Sequence, residues 1–292
     1  TPQSVAWMAT EENDGILFYG EAIDSIYTRD NIYWLGFGDG ESMQSRSATP
    51  GGDSDPEFTF VDVAHFEDEQ WPLTSVMSDP EADFWMWDYF FPWDGEPTVS
   101  KTFILPTPGA VASGGDAVLT VHLQGSFISE VSPNHFVEVR LNGSQLGGAR
   151  SWSGHEAYDL ELEVPQSLLA DGDNTVEITA QLASGLDFDE FYLDAFDLRY
   201  RRSYTAADNR LAGTTDGGGE ITISGFTEGD ISVFDLRDPK KPILLTGTQI
   251  NDAGGTFSVR FSAGGGSLPF LATTVGAALE PARVVADFSS DL

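Results

Sequence analysis

Between residues 135 and 143 the stretch HFVEVRLNG sets out an imidazole, a carboxylate, a guanidinium and an amide: His135, Glu138, Arg140 and Asn142. These are the residue types of acid–base chemistry, with His135 as the catalytic candidate. A second set, Asp187, Asp189, Glu190 and Asp194 in GLDFDEFYLDAF, offers hard oxygen donors at short spacing, which is what a calcium ion takes. The acidic turn DGDN at 171–174 offers the same donor type. A third set, Trp85, Trp87 and Trp93 in DFWMWDYFFPW, offers flat faces for a sugar ring or an apolar surface for a protein partner.

Each set also has a structural reading. Val137, Val139 and Leu141 alternate with Glu138 and Arg140, so the apolar residues face a core and the charges face water. Asn142-Gly143 then closes a tight hairpin, because both residues tolerate the positive φ that such a turn requires. On that reading His135 is scaffold rather than catalyst. Asp194 shares strand parity with Phe188, Tyr192, Phe196 and Tyr200, which makes it an inward carboxylate in need of partners, either hydrogen-bond donors or the calcium ion. The aromatic run at 83–93 reads equally as a core plug, because aromatic side chains bury the largest areas.

The elements that must position these residues are strands. AVLTVHLQG, HFVEVRLNG, YDLELEVP, NTVEITAQL, FYLDAFDLRY, GEITISGF, DISVFDL and GTFSVRFS all show period-2 patterning, separated by Gly, Pro, Asn and Asp. Many short strands with such punctuation predict an all-β jelly roll or β-sandwich. Helix is expected only in short pieces, near PQSLLADG and LATTVGAALEP. A length of 292 residues accommodates two domains. We place the first at 1–204, an N-terminal β segment wrapped onto a jelly roll with its core near 98–204. The second is a smaller sandwich-like domain at 205–292.

Charge excludes whole classes of partner. The chain has 47 acidic and 14 basic residues, a net charge of −33. Such a field repels phosphate backbones, so nucleic acid and anionic membrane surfaces are not expected partners. The basic cluster Arg199, Arg201 and Arg202 is read as a salt-bridged seam or as a docking point for an acidic partner. With no cysteine, the chain has no thiol nucleophile, no disulfide and no thiolate metal site. No run approaches the ~20 apolar residues of a membrane helix. A basic, apolar signal sequence is not seen at the start, so any export signal is expected to have been removed.

Two resemblances add to this reading. The pattern LNG..LG followed by a tryptophan, and then VP..LL.DG.N.VEI, resembles the punctuation of galactose-binding-like jelly rolls. GILFYGEAIDSIYTRDNIYWLGFGDGESM resembles a segment upstream of the catalytic domain in gingipain-like cysteine peptidases. DISVFDLRDPKKPILLTG and FLATTVGAALEPARVVADFSSDL resemble the segments that lead into that domain. The resemblance implies a non-catalytic N-terminal module of a secreted or cell-surface bacterial peptidase, serving folding, inhibition or substrate positioning. Its implied partner is the peptidase domain expected after Leu292, and a glycan or protein substrate is the further one. The family's catalytic cysteine and histidine have no counterparts here, since none of His65, His122, His135 or His155 falls in a matching motif. The alternative is a carbohydrate-binding jelly roll. A glycosidase would need a carboxylate pair in a cleft, and among 47 acidic residues such a pair arises by accident.

Overall fold

The computed structural model describes residues 4–10, 15–23, 28, 30–38, 40–51, 56–76, 83–217 and 219–286. It is all-β apart from one short 3-10 turn at Gln166–Leu168. The N-terminal part carries β1 (Trp7–Ala9), β2 (Ile16–Phe18), β3 (Gln44–Ser47), β4 (Pro56–Glu57), β5 (Thr59–Glu67), β6 (Trp71–Pro72), β7 (Trp85–Met86) and β8 (Asp88–Phe90). The middle carries β9 (Thr98–Thr107), β10 (Asp116–Gly125), β11 (His135–Leu141), β12 (Ser144–Gln145), β13 (Arg150–Trp152), β14 (Ala157–Pro165), β15 (Gly172–Gln181) and β16 (Phe191–Ser203). The last part carries β17 (Arg210–Thr214), β18 (Glu220–Phe226), β19 (Ser232–Asp235), β20 (Ile243–Thr246), β21 (Gln249–Asp252), β22 (Phe257–Ser262) and β23 (Pro269–Thr273).

Two units result, one of Ala22–Asp30 with Thr59–Ser203 and one of Thr1–Glu21, Asn31–Phe58 and Tyr204–Leu292. The first is the jelly roll. One of its sheets runs β14-β10-β16-β5 with β8 also on β16, and the other runs β12-β11-β15-β9 with β13 also on β11. Every pairing in them is antiparallel. The alternating residues of β10, β11, β14 and β15 meet in one core that includes Leu119, Val121, Val137, Val139, Leu160, Leu162, Val176 and Ile178. Such a face of aliphatic residues is what makes two sheets pack. The expected hairpin is present: Asn142 and Gly143 have φ of 48° and 80°, and Leu141 pairs with Ser144.

The second unit has the sheets β17-β23-β19-β20-β3 and β21-β22-β18-β4 around Ile221, Ile223, Phe226, Val259, Phe261 and Phe270. Its make-up differs from the expected division at 204, because β3 and β4 pair in parallel with β20 and β18 instead of joining the jelly roll. Among the described residues before 98, β5 and β8 alone enter the jelly-roll sheets. Strands of four and two residues are too short to show a period, and their partners lie far along the chain. The expected helix at LATTVGAALEP is also absent; its start is the strand β23 and the rest is turn.

Candidate functional site

Among the described residues, a continuous row of interacting titratable side chains lies on the sheet β14-β10-β16-β5, on the face turned away from the core. In β10, Ala117, Leu119 and Val121 point inward, so Thr120 and His122 point outward. The register sets His122 directly opposite Asp159 of β14, and Asp197 of β16 directly opposite His65 of β5. His122 Nδ1 lies 2.8 Å from Asp159 Oδ1, and its Nε2 lies 3.1 Å from Asp197 Oδ2. The other Asp197 oxygen is 2.8 Å from His65 Nδ1, and His65 Nε2 is 3.5 Å from Glu67 Oε2. Acid and imidazole thus alternate across four strands: Asp159, His122, Asp197, His65, Glu67.

Burial pulls both imidazoles down, but hydrogen bonds to the flanking carboxylates and their charge outweigh it. His65 and His122 are both held above the ordinary histidine value. Burial pushes Asp197 up, and the hydrogen bonds from His65 and His122 more than reverse this, leaving its carboxyl below the usual range. At the Glu67 end the carboxylate oxygens of Glu67, Glu69 and Asp83 lie within 4.8 Å of one another. Asp194 responds to that crowding. Burial, then the charges of Glu67 and Asp83, push it up to about 6 against the partial relief of His122 and His65.

Asp194 sits on this face because of a β-bulge. Leu123 pairs with Leu193 and Val121 with Phe196, so Asp194 and Ala195 together oppose His122 alone. Core residues therefore run Phe191, Leu193 and then Phe196, Leu198, Tyr200. This changes the parity that had aligned Asp194 with Phe196 and Tyr200 inside the sandwich.

The other predicted oxygen ligands are not gathered around Asp194. Asp189 is wholly buried and bound to His135, Glu190 accepts from Ser126 Oγ at 2.8 Å, and Asp187 is exposed in the preceding loop. In the DGDN turn an amide occupies the oxygens. Asn174 Nδ2 donates to the carbonyls of Ala170 and Gly172 at 3.1 and 3.0 Å and to Thr107 Oγ1 at 2.7 Å. Asp171 accepts from the Gly109 N–H. Of the basic cluster, Arg202 pairs with Asp62 at 2.7 Å inside the jelly-roll unit.

His135 is scaffold. It and Asp189 have zero exposure; its Nδ1 lies 3.0 Å from Asp189 Oδ2, and its Nε2 lies 2.8 Å from the Gly154 carbonyl oxygen. Asn134, also buried, bonds Asp189 Oδ1 and the Phe127 carbonyl and accepts from Gly154 N. Gly125 has to be glycine, since a Cβ there would collide with the Gly154 carbonyl and with His135 Nε2. No reactant reaches this pair.

The three tryptophans separate. Trp87 makes edge contacts with Phe103 and Phe196 of the core, at 5.2 and 5.5 Å. Trp85 packs on Phe84, and Trp93 is 45% exposed. Trp93 bridges to Phe188, which stacks on Phe91 and touches Phe127. Phe91, Trp93 and Phe188 are each at least 40% exposed, so loops at one end of the jelly roll form an aromatic ledge.

No protein-family model matches the chain, and no curated protein matches it. Among solved structures there is a likeness of fold. Dimeric latent PorU from Porphyromonas gingivalis aligns with a TM-score of 0.55 and 12% identity over 80% of this chain and 22% of that one. Infectious bursal disease virus of the Gx strain aligns with a TM-score of 0.31 at 10% identity, over 91% of this chain and 48% of that one. The glycoside hydrolase domain of Endo-D from Streptococcus pneumoniae R6 gives 0.25 at 10% identity, over 75% and 37%. The last two are too distant to support any argument.

The likeness to PorU concerns fold and leaves the chemistry to this chain's own residues. Its histidines face carboxylates or a carbonyl as described, apart from His155. The signal that could have found the outer row was the even spacing of His65 with Glu67 and of His122 with Thr120, but the partners Asp159 and Asp197 lie on other strands. None of the row had been singled out from the sequence.

Proposed function

We propose that the chain is a non-catalytic accessory module of a secreted or cell-surface gingipain-like cysteine peptidase, acting on its peptidase domain in folding, inhibition or substrate positioning. The observation that supports this most is the likeness to latent PorU, which runs through 80% of this chain yet takes up 22% of that one. A sequence without cysteine cannot supply the nucleophile of such a peptidase, so its contribution is one of binding and shape. The purified chain should be inert toward casein. It should also bind the cysteine- and histidine-bearing remainder of its parent with a Kd of about 10 µM or tighter and change the rate at which that part matures or turns over. Casein digestion that survives repurification would overturn the reading. So would absence of binding together with unchanged peptidase yield and rate after deletion of the module.

The aromatic ledge of Phe91, Trp93 and Phe188 favours a second reading, carbohydrate binding. Exposed rings stack on sugar faces, and Asp187 stands beside Phe188 to accept hydroxyl protons. On a glycan array, binding lost in Trp93→Ala would support it, and a blank array would remove it.

A further inference from the structure

The outer row of the jelly roll has a property that neither reading of the function requires. Among the described residues β5 stands at the end of its sheet, paired with β16. Its side chains on the outer face are Thr59, Val61, Val63, His65 and Glu67, so His65 is the one that faces an oppositely charged group across the strand gap, Asp197. Asp197 is in turn held by His122, which is held by Asp159. We propose that the row Asp159–His122–Asp197–His65–Glu67 is a pH-sensitive fastener, which holds the edge strand β5 on the jelly-roll sheet in mildly acidic solution and loosens it as pH rises past neutrality.

The charge pattern supplies the reason. With both imidazoles protonated the row reads acid, base, acid, base, acid, and every neighbour is attractive. With both neutral, the charge attraction between Asp159 and His122 and between Asp197 and His65 is lost, and three carboxylates remain in one row with no cation between them. The other groups on this face do not replace the lost cations. Glu161 of β14 is acidic, as are Asp194 of β16 and the Glu69 and Asp83 carboxylates. Arg199 and Arg201 of β16 share the face and stay charged, but they stand opposite Val63 and Val61, to one side of the row rather than between its carboxylates. The remaining groups of the row are those already named.

The linkage has one sign for three groups. His65 and His122 lie above their ordinary 6.5 in the folded state, so their contribution is complete below that value and is lost as pH rises through the folded values. Asp194, raised from 3.8 to about 6, favours the folded state when protonated, so its contribution is complete below 3.8 and is lost as pH rises through about 6. Asp197 is lowered and contributes above 3.8, losing its contribution only in stronger acid. The hold from the two imidazoles and Asp197 is therefore complete between about pH 4 and 6, while the part from Asp194 fades across that range.

Amide hydrogen exchange on the full chain, corrected for the intrinsic pH dependence of exchange, tests this. Protection of the β5 amides bonded to β16 should fall about tenfold between roughly pH 6 and 8, while the amides of β9 and β15 in the opposite sheet hold their protection. The double variant His65→Gln, His122→Gln should lose that pH dependence. Imidazole NMR titration of the unsubstituted chain provides a readout that needs no variant. Both histidines should titrate above the ordinary value, and Asp197→Asn should bring both down. Flat protection in β5, an equal loss of protection in both sheets, or a double variant as pH-dependent as the parent would each overturn the proposal. Imidazoles that titrate at or below the ordinary value would do so as well.

Discussion

His135 shows how a residue with catalytic chemistry becomes a structural one. Period 2 already places it inward, since it has the parity of Val137, Val139 and Leu141. What the local sequence lacks is its partner, because Asp189 lies 54 residues away in a loop. Both ring nitrogens face oxygen in a fully buried site, so neither is open to a substrate. Removing one partner strands a buried polar or charged group, which costs about 3–5 kcal/mol. Asp189→Ala should therefore lower the urea unfolding free energy by that amount, and the double change with His135→Leu should recover part of it. A loss below about 1 kcal/mol in the single variant would mean that the pair is not buried as described. Asp194 is the opposite case, since strand parity predicted it inward and a bulge moved it out. A bulge depends on the register of two strands, and β16 alone carries no mark of it.

The sequence revealed strands by their alternation rather than their length, since the short β18, β19 and β22 were recognised while the long β5 and β9 were not. β10, β11, β14, β15 and β16 each show enough alternation to be recognised, and their residues form the core. β3 and β4 were not legible as part of the C-terminal sandwich, because their attachment rests on a few side chains rather than a pattern. Arg46 reaches Asp235 with Nε and Nη2 at 3.2 and 3.0 Å. Glu57 is the clearer anchor. Its carboxylate accepts from the Tyr204 hydroxyl at 3.1 Å and from the N–H groups of Asp216, Gly217 and Gly219 at 3.3, 3.0 and 3.0 Å. A carboxylate in such a cradle replaces the hydrogen bonds that a two-residue strand cannot make. Glu57→Ala leaves several donors to find water, at a cost of about 1–3 kcal/mol. The amides of Gly217 and Gly219 should then exchange faster, and Glu57→Gln should fall between the two because it keeps one acceptor oxygen. Unchanged exchange at those two glycines would show that Glu57 does not hold the turn.

For the molecule as a whole, the net charge of −33 is an unfavourable term in the folded state, because folding brings like charges together. At Asp194 that term adds to burial: burial first, and then the charges of Glu67 and Asp83, push its carboxyl up to about 6. Screening over about 10 Å at 0.1 M salt reaches exposed pairs of this kind. The melting temperature should therefore climb with salt and respond equally to sodium and potassium, at about 2–4 °C for each kcal/mol relieved in a chain of this size. A site-bound calcium ion would act differently, by mass action at low concentration. Because Asp187, Asp189, Glu190 and Asp194 do not converge, calcium at matched ionic strength should do no more through them than screening does, and Asp187→Asn should leave the response unchanged. A calcium-specific rise abolished by Asp187→Asn would show that those carboxylates come together around the ion, and a melting temperature indifferent to salt would show that the acidic surface carries no strain for ions to relieve.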